Sequence, residues 1–302
     1  MNKSFGKGVF FAAASYFIWG ILPLYWRLLA EINSLHLLGF RIIFSLFLVS
    51  IILFARKNFS WLGFFRDRKK GLLLTLAAIT ISFNWGLYIR AINSGHILEA
   101  SLGYYINPLI SIALGLCFFR EKLRPLQYIA FAITIAAVTI QTILTGTPPW
   151  ISLGLAFSFA FYGLLKKTIS LSALESLGVE TLIAAPLGLF LLFAPGMAKI
   201  FPDWRGIGYL ADLPVHTLFL LLLCGAVTTF PLYLFAKGAR ILPLSTLGFI
   251  QFISPTLNFF EGVFIFGESF PLYNLIVFGC IWAAVILYVI SLKVAPKQMK
   301  KL

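Results

Sequence analysis

The chain has 302 residues, of which 60% are hydrophobic and 11% are charged. A water-soluble protein carries roughly a quarter charged residues, so the composition excludes a soluble globular domain and indicates an integral membrane protein. The net charge of +14 would suggest a nucleic-acid partner for a soluble protein. In a membrane protein loop topology explains the same charge, so no nucleic-acid partner is expected.

Ten apolar runs follow one another along the chain, and each is long enough to cross a hydrocarbon core of about 30 Å. They cover residues 8–29, 35–54, 71–91, 97–119, 125–144, 150–170, 177–195, 215–236, 242–266 and 271–292. The first run is too long for the core of a cleaved signal peptide, so it predicts a retained span. Only short links separate the third run from the fourth and the eighth from the ninth, and each link predicts an antiparallel hairpin.

The basic residues alternate between the two sides of this predicted bundle. Nineteen of the 24 Lys and Arg residues fall in alternate connecting segments and at the two termini, whereas the segments between them hold four. Because basic residues near span ends stay in the cytoplasm, both termini are predicted to be cytoplasmic. The alternation also supports the count of ten spans.

The second half of the chain repeats motifs of the first half within apolar sequence. The matched motifs are Leu87-Tyr88 with Leu232-Tyr233, Leu102-Gly103 with Leu247-Gly248, Pro108 with Pro255, and Glu121 with Glu268. Five spans per repeat is an odd number, so the second repeat must be inverted in the membrane. The sequence therefore predicts an all-α membrane protein with a five-helix repeat at 1–144, an inverted five-helix repeat at 150–292 and a basic cytoplasmic tail at 293–302.

Polar and aromatic side chains inside the apolar runs are the candidate residues for a substrate cavity. They are Trp19, Arg41, Asn84, Tyr88, Glu99, Ser101, Tyr104, Tyr105, Asn107, Tyr162, Thr246, Gln251 and Ser254. Asn107 and Pro108 are also expected to loosen the fourth helix, because proline removes a backbone hydrogen bond. Small polar residues equally hold membrane helices together, so helix packing is the alternative for each candidate.

For three ionisable residues inside the apolar runs, the sequence predicts more specific roles. Arg41 is expected to contact an anionic group of a substrate or to pair with Glu99, and the alternative is that its guanidinium reaches the outer headgroups. Glu180 and Glu261 are candidates for carrying a coupled proton, because buried carboxylates take up and release protons in transporters. The alternatives are a pair between Glu180 and a nearby lysine, and a contact of Glu261 with a neighbouring helix.

Other chemistry has no support in the residue pattern. The three histidines lack ligand spacing, so no metal site is expected, and no cofactor is expected because the chain lacks a phosphate-binding glycine loop. Nothing resembles a pairing of nucleophile and base, so the chain is not expected to be an enzyme. Glu121 and Glu268, at span ends, are expected to cap helices or to pair locally.

Four segments resemble a known transporter family. SYFIWGILPLYWRLL (15–29), ILEASLGYYINPL (97–109), FYGLLKK (161–167) and LPLSTLGFIQFISPTLNF (242–259) are similar to the RarD-type permeases, in the EamA group of the drug/metabolite transporter superfamily. The likeness extends over residues 8–292. It implies ten helices in two inverted repeats, a central cavity lined mainly by the first, third and fourth helices of each half, a bacterial inner-membrane location and export. Phe40 and Arg90 depart from the family pattern, which has His and an aromatic residue there.

These observations predict a secondary transporter, a permease that exports small organic metabolites or drugs by alternating access and is coupled to protons. An importer or exchanger of a metabolite is the alternative on the same architecture, and a membrane-embedded enzyme or lipid-handling protein is a second alternative. The expected partners are a small-molecule substrate and the lipid bilayer, with a homodimer left open.

Overall fold

The computed structural model describes residues 3–93, 97–145, 150–194, 207–265, 267 and 272–293. Within these residues the chain forms helices and no β-strand. The α-helices are α1 (Lys3–Arg27), α2 (Ser34–Ala55), α3 (Arg68–Asn93), α4 (Ile97–Phe118), α5 (Pro125–Thr145), α6 (Trp150–Thr168), α7 (Ala173–Phe193), α8 (Val215–Ile241), α9 (Leu244–Gln251), α10 (Ile253–Phe260) and α11 (Leu272–Lys293). Short 3₁₀ helices lie at Ser60–Arg66 and Ile207–Asp212, and a π-helical turn lies at Glu261–Ile265.

Each of the predicted apolar runs contains a helix, and the ninth contains two. Seven helices in the described part of the chain are long and apolar enough to cross a membrane, namely α1, α2, α3, α5, α7, α8 and α11. In α4 the apolar stretch is the shorter segment Gly103–Phe118, and α6 ends in Lys166 and Lys167. The chain is therefore an all-α protein with several membrane-spanning helices, while the count of ten spans stays a prediction.

The start of α7 differs from its predicted position and has a local cause. The apolar pattern begins at residue 177, but the helix begins at Ala173 because a capping box precedes it. The Ser172 hydroxyl accepts a hydrogen bond from the backbone N–H of Glu175, and the Glu175 carboxylate accepts one from the backbone N–H of Ser172. These two bonds satisfy backbone donors that a helix start otherwise leaves without partners.

The ninth run is broken, although its hydropathy predicts one continuous helix. α9 ends at Gln251, four residues before Pro255, and α10 begins at Ile253. Proline has no N–H to donate and its ring crowds the carbonyl four residues earlier, which places the break at Gln251. The matched proline of the first half, Pro108, lies inside α4, which continues without a break to Phe118. The first-half helix is thus not broken at its proline, and the local loosening expected at Asn107 and Pro108 stays a prediction.

Helices of the two halves pack on each other in matched pairs. α1 packs on α8 and α10, and α6 packs in the same way on α3 and α4. α2 packs on α7, α4 on α9 and α5 on α11, and the members of each pair hold equivalent places in the two halves. Exchanging the halves reproduces this set of contacts, as expected for two similar five-helix units related by a two-fold axis. The described helices are thus consistent with a two-repeat architecture.

Glycines let helices of opposite halves approach closely. A Cβ atom added at Gly225 of α8 would lie 2.5 Å from the carbonyl carbon and oxygen of Phe44 in α2. The Ser45 hydroxyl also donates a hydrogen bond to the Gly225 carbonyl, at 3.3 Å. Because the obstructing atoms belong to the backbone, the contact between α2 and α8 cannot accommodate a larger residue without moving a helix.

Replacing Gly225 by alanine should lower the thermal unfolding midpoint of the detergent-purified protein. The expected cost is about 1 to 3 kcal/mol, as for other overpacked sites. Gly279→Ala is the matched control, because Gly279 also lies inside a helix but an added Cβ there meets nothing within 4 Å. Alanine favours a helix over glycine by about 1 kcal/mol, so the control should be neutral or stabilising. Equal shifts for the two variants would contradict close packing at Gly225.

Candidate functional site

A cavity with a volume of about 180 Å³ lies between the halves. Helices α1, α2, α3 and α4 of the first half and α6, α8, α9 and α10 of the second half contribute to its wall. The aromatic residues of the wall are Tyr16, Trp19, Trp26, Trp85, Tyr88, Tyr104 and Phe159. The polar residues of the wall are Arg41, Asn84, Asn107, Thr228, Gln251, Ser254 and Asn258. The described wall therefore combines aromatic and aliphatic residues with neutral hydrogen-bonding groups and a single guanidinium.

The predicted cavity residues separate into three groups. Those that lie in the cavity wall are Trp19, Arg41, Asn84, Tyr88, Tyr104, Asn107, Gln251 and Ser254. The side chains of Glu99 and Ser101 lie outside the described residues. The remaining candidates, Tyr105, Tyr162 and Thr246, lie outside the wall and take part in helix packing.

Each of these three packing residues has a partner on another helix. The Tyr105 ring meets the ring of Phe278 in α11 at 5.4 Å between centroids. The Thr246 hydroxyl accepts a hydrogen bond from the Tyr288 hydroxyl at 2.7 Å. The Tyr162 hydroxyl donates to a carboxylate on α7. Sequence periodicity gives only the angular position of a residue on its helix, so it did not separate the cavity face from these contacts.

Several wall residues were not predicted from the sequence, and for three of them, Tyr16, Trp26 and Asn258, the sequence nevertheless holds a signal. Tyr16, Trp19 and Trp26 recur on one face of α1 at helical spacing, and all three line the cavity. Asn258 lies one helical turn after Ser254 and continues the polar face that begins at Gln251. Trp85 and Thr228 carried no comparable periodic signal, because each becomes part of the wall through its contact with Arg41 on another helix.

Arg41 is held in the wall by contacts from three helices. Its Nε donates a hydrogen bond to the Thr228 hydroxyl of α8 at 3.1 Å. The guanidinium carbon lies 5.0 Å from the ring centre of Trp26 in α1 and 4.7 Å from that of Trp85 in α3. Both distances are typical of cation–π contacts. The guanidinium therefore belongs to the cavity wall, and residues of both halves fix its orientation.

Amide and hydroxyl groups of the wall also join the halves. Asn84 Nδ2 donates hydrogen bonds to the Leu155 carbonyl at 2.9 Å and to the Ser158 hydroxyl at 2.8 Å, which ties α3 to α6. The Tyr16 hydroxyl donates to Gln251 Oε1 at 3.3 Å, which ties α1 to α9. These bonds satisfy polar groups that would be costly to leave without partners in a membrane.

Four aromatic residues beside the cavity pack against one another, namely Trp19, Phe159, Tyr162 and Phe235. We call this group the aromatic layer. Trp19 and Phe159 also line the cavity, whereas the Tyr162 ring stacks on Phe235 at 5.9 Å between centroids. Trp19 and Phe159 each contact Phe235 as well. Through Tyr162, the aromatic layer also contacts a buried charged pair on α6 and α7.

This charged pair is Lys166 and Glu180, and both side chains are almost fully buried. Glu180 Oε1 accepts hydrogen bonds from Lys166 Nζ at 2.7 Å and from the Ser176 hydroxyl at 2.6 Å. Glu180 Oε2 accepts one from the Tyr162 hydroxyl at 2.9 Å. The pairing of Glu180 with a nearby lysine, which was the alternative to proton coupling, is thus present.

Glu261 has a different environment from Glu180. It begins the π-helical turn after α10, lies outside the cavity wall and is 5% exposed. Neither of its carboxylate oxygens has a hydrogen-bond partner among the described residues. π-helical turns within α-helices often occur at functional sites.

Glu121 caps a helix, but not locally as predicted. Its carboxylate accepts hydrogen bonds from the backbone N–H groups of Leu244 and Ser245, at 2.7 and 2.9 Å, and from the Ser245 hydroxyl at 2.7 Å. These donors belong to the start of α9 in the other half, and we call this contact the Glu121 bridge. Lys167 lies beside it, where its Nζ donates to the Leu242 carbonyl. The matched residue Glu268 lies outside the described residues.

No group of three or more His, Cys, Asp or Glu side chains in the described part of the chain is arranged to hold a metal ion.

Separate removal of the Lys166 and Glu180 charges should destabilise the protein more than removing both. Lys166→Met or Glu180→Gln leaves one buried charge without its partner, which costs about 3 to 5 kcal/mol. The double variant leaves no charge, so its thermal midpoint should lie above that of Lys166→Met. Lys70→Met is the control, because the pair of Lys70 with Asp67 is about half exposed and such pairs contribute about 0 to 1 kcal/mol. Additive losses in the double variant would argue against a coupled buried pair.

Comparison with known proteins gives one consistent result. The profile of the EamA-like transporter family matches residues 6–143 and again residues 149–290. The chain is 42% identical to "Uncharacterized transporter YojE" of Bacillus subtilis (strain 168), over 94% of each chain. It is 37% identical to "Protein RarD" of Escherichia coli (strain K12), over 99% of each chain. A solved structure titled "Crystal structure of protein" has the same fold, with a TM-score of 0.70 at 15% identity, and the match covers 93% of this chain and 96% of that one.

Proposed function

Because the chain belongs to the EamA-like transporter family, we propose that it is a secondary transporter of small organic molecules that works by alternating access. The observation that carries this proposal is the cavity between the halves, whose wall is built from four helices of each half. A binding site at the interface of two similar halves is the arrangement in which rocking of one half against the other exposes the site to each side in turn.

The Glu121 bridge supports a closed arrangement at one end of the cavity. It joins the end of α4 in the first half to the start of α9 in the second half. The Lys167 Nζ lies 5.2 Å from the ring centre of Phe119, so a second contact joins the halves at the same end. Opening this end requires these contacts to separate. The bridge is therefore proposed as a contact that forms in one state and breaks in the other.

We place the Glu121 bridge on the cytoplasmic side, with both termini also cytoplasmic. The support is the distribution of basic residues, since Lys166, Lys167 and Lys122 lie at this end and positive charge is retained in the cytoplasm. From the likeness to bacterial relatives such as the RarD protein of Escherichia coli, we further propose that the protein lies in the inner membrane of a bacterium and exports its substrate. Uptake measured in vesicles of both orientations distinguishes export from import or exchange.

A coupled proton requires a carboxylate that can change its protonation state during the cycle. Glu180 is held by a lysine and two hydroxyl groups, whereas neither Glu261 oxygen has a described partner. We therefore favour Glu261 over Glu180 as the proton-carrying group.

Joining the two sides of the Glu121 bridge covalently should stop transport without stopping binding. The variant carries Glu121→Cys and Ser245→Cys, with the three native cysteines replaced, and is treated with a short bis-methanethiosulfonate reagent. In proteoliposomes we expect uptake of the most stabilising compound from a screen of metabolites and antibiotics to cease and to return after reduction. Thermal stabilisation by that compound should persist.

The matched control for this experiment is a link within one half, at Asp67→Cys and Lys70→Cys, which are neighbours in the native protein. This link should leave uptake unchanged. Undiminished uptake with the 121–245 link in place would contradict alternating access through separation of the Glu121 bridge.

Glu261→Gln should make transport insensitive to a pH gradient, because glutamine cannot take up a proton at neutral pH. Uptake of the same compound is measured in proteoliposomes with an inward and with an outward pH gradient. Asp67→Asn, at an exposed carboxylate, is the control and should keep the response of the wild type. A Glu261→Gln variant that keeps the full gradient response would remove Glu261 from proton coupling.

A further inference from the structure

Among the described residues, Arg41 supplies the only charge in the cavity wall, and no acidic side chain lines it. We propose that the cavity binds a small organic monocarboxylate, whose carboxylate group pairs with the Arg41 guanidinium. This inference names the cargo class for the transport function proposed above and therefore rests on it.

The guanidinium of Arg41 has an edge left for a ligand. Its Nε is used by the Thr228 hydroxyl, and its planar group is flanked by the Trp26 and Trp85 rings. No described residue accepts a hydrogen bond from either terminal nitrogen. Two terminal N–H groups of one guanidinium match the two oxygens of a carboxylate. The indole contacts and the Thr228 bond hold this edge in one orientation, as a specific anion site requires.

The charge of the cavity limits the ligand to one negative charge. A buried guanidinium is stabilised by a counter-charge, and one carboxylate balances it. A phosphate monoester carries about −1.5 to −2 charges near neutral pH, so it would leave an excess negative charge in the membrane interior. A zwitterion would bring an ammonium group for which the described wall has no acidic partner. A monocarboxylate without an ammonium group therefore fits this wall best.

The rest of the wall fits an apolar body attached to the carboxylate. Trp19 and Phe159 line the cavity and contact each other in the aromatic layer. Their rings offer apolar contact surface, whereas neutral amides such as Gln251 provide hydrogen bonds that do not select charge. We expect ligands with an aromatic or aliphatic group a few bonds away from the carboxylate.

The test is a binding series in which only the charge of the ligand changes. Thermal stabilisation of the full chain in detergent is measured with benzoate, 3-phenylpropionate and indole-3-acetate, each compared with its uncharged amide. For 3-phenylpropionate the series adds 3-phenylpropylamine, phenylalanine and 2-phenylethyl phosphate. We expect at least one carboxylate to bind about tenfold or more tightly than its amide, as for one charge-assisted hydrogen-bonded pair. The amine, the zwitterion and the phosphate should bind more weakly than 3-phenylpropionate.

Three variants assign this preference to Arg41. Arg41→Gln should bind the carboxylate and its amide equally. Arg41→Lys should keep a reduced preference for the carboxylate, since lysine keeps the charge but not the planar pair of donors. Arg27→Gln removes an exposed arginine on α1 outside the cavity wall and should behave as the wild type. Thermal unfolding midpoints without ligand and size-exclusion profiles show whether each variant is folded. If Arg41→Gln does not fold, the comparison of Arg41→Lys with the wild type is the test.

Several results would overturn the proposal. One is a wild type that prefers none of the carboxylates to its amide, and another is a preference that survives in Arg41→Gln. If the wild type shows no carboxylate preference and the Glu99→Gln variant does, the terminal N–H groups of Arg41 pair with Glu99 in the wild type and not with a ligand.

Reconstitution into liposomes separates this inference from the proposed function. Binding that depends on Arg41, without movement of the bound carboxylate across the bilayer, would keep the carboxylate site and contradict its transport. If the protein shows no carboxylate preference but moves neutral or cationic compounds across the bilayer, the proposed transport function would be kept and the carboxylate site would be contradicted.

Discussion

Inside a membrane every polar group of the chain must find its partner within the protein, and this constraint organises the described structure. The Ser15 hydroxyl of α1 donates a hydrogen bond to the Pro231 carbonyl of α8, at 2.9 Å. Asn84 bonds to α6, and the Glu121 carboxylate bonds to the start of α9. Each of these bonds crosses from one half to the other. The contacts that satisfy buried polar groups are thus also the contacts that hold the halves together.

The buried charged residues satisfy this constraint in two different ways. Lys166 and Glu180 neutralise each other within one half, where Tyr162 of the aromatic layer donates a hydrogen bond to Glu180. Arg41 lines the cavity and is held by a hydroxyl and two indoles, and no described residue accepts a hydrogen bond from its terminal nitrogens. In our proposal, this is the charge that a ligand carboxylate neutralises. The cavity therefore differs from the rest of the interior in its electrostatics more than in its apolar lining.

The two halves meet in two kinds of contact, and these lie in different parts of the bundle. One kind is close backbone packing, and the other is hydrogen bonding. At Gly225 the backbones of α2 and α8 approach so closely that no side chain fits. At the Glu121 bridge the halves meet through hydrogen bonds that backbone N–H groups donate to a carboxylate, and water could replace these bonds if the contact opened. The alternating access that we propose needs both kinds of contact, because the helices must stay packed while one end of the cavity opens.

The sequence by itself determined the membrane class, the ten helical regions and eight residues of the cavity wall, since hydropathy and residue spacing are local properties of a chain. It also supplied the family resemblance that the comparisons confirm. Only the tertiary structure decided that Tyr162 bonds to Glu180, that the helix breaks near Pro255 but not at Pro108, and that Trp26 and Trp85 flank Arg41. These outcomes depend on which side chains of distant helices meet, and hydropathy and spacing along one helix do not contain that information.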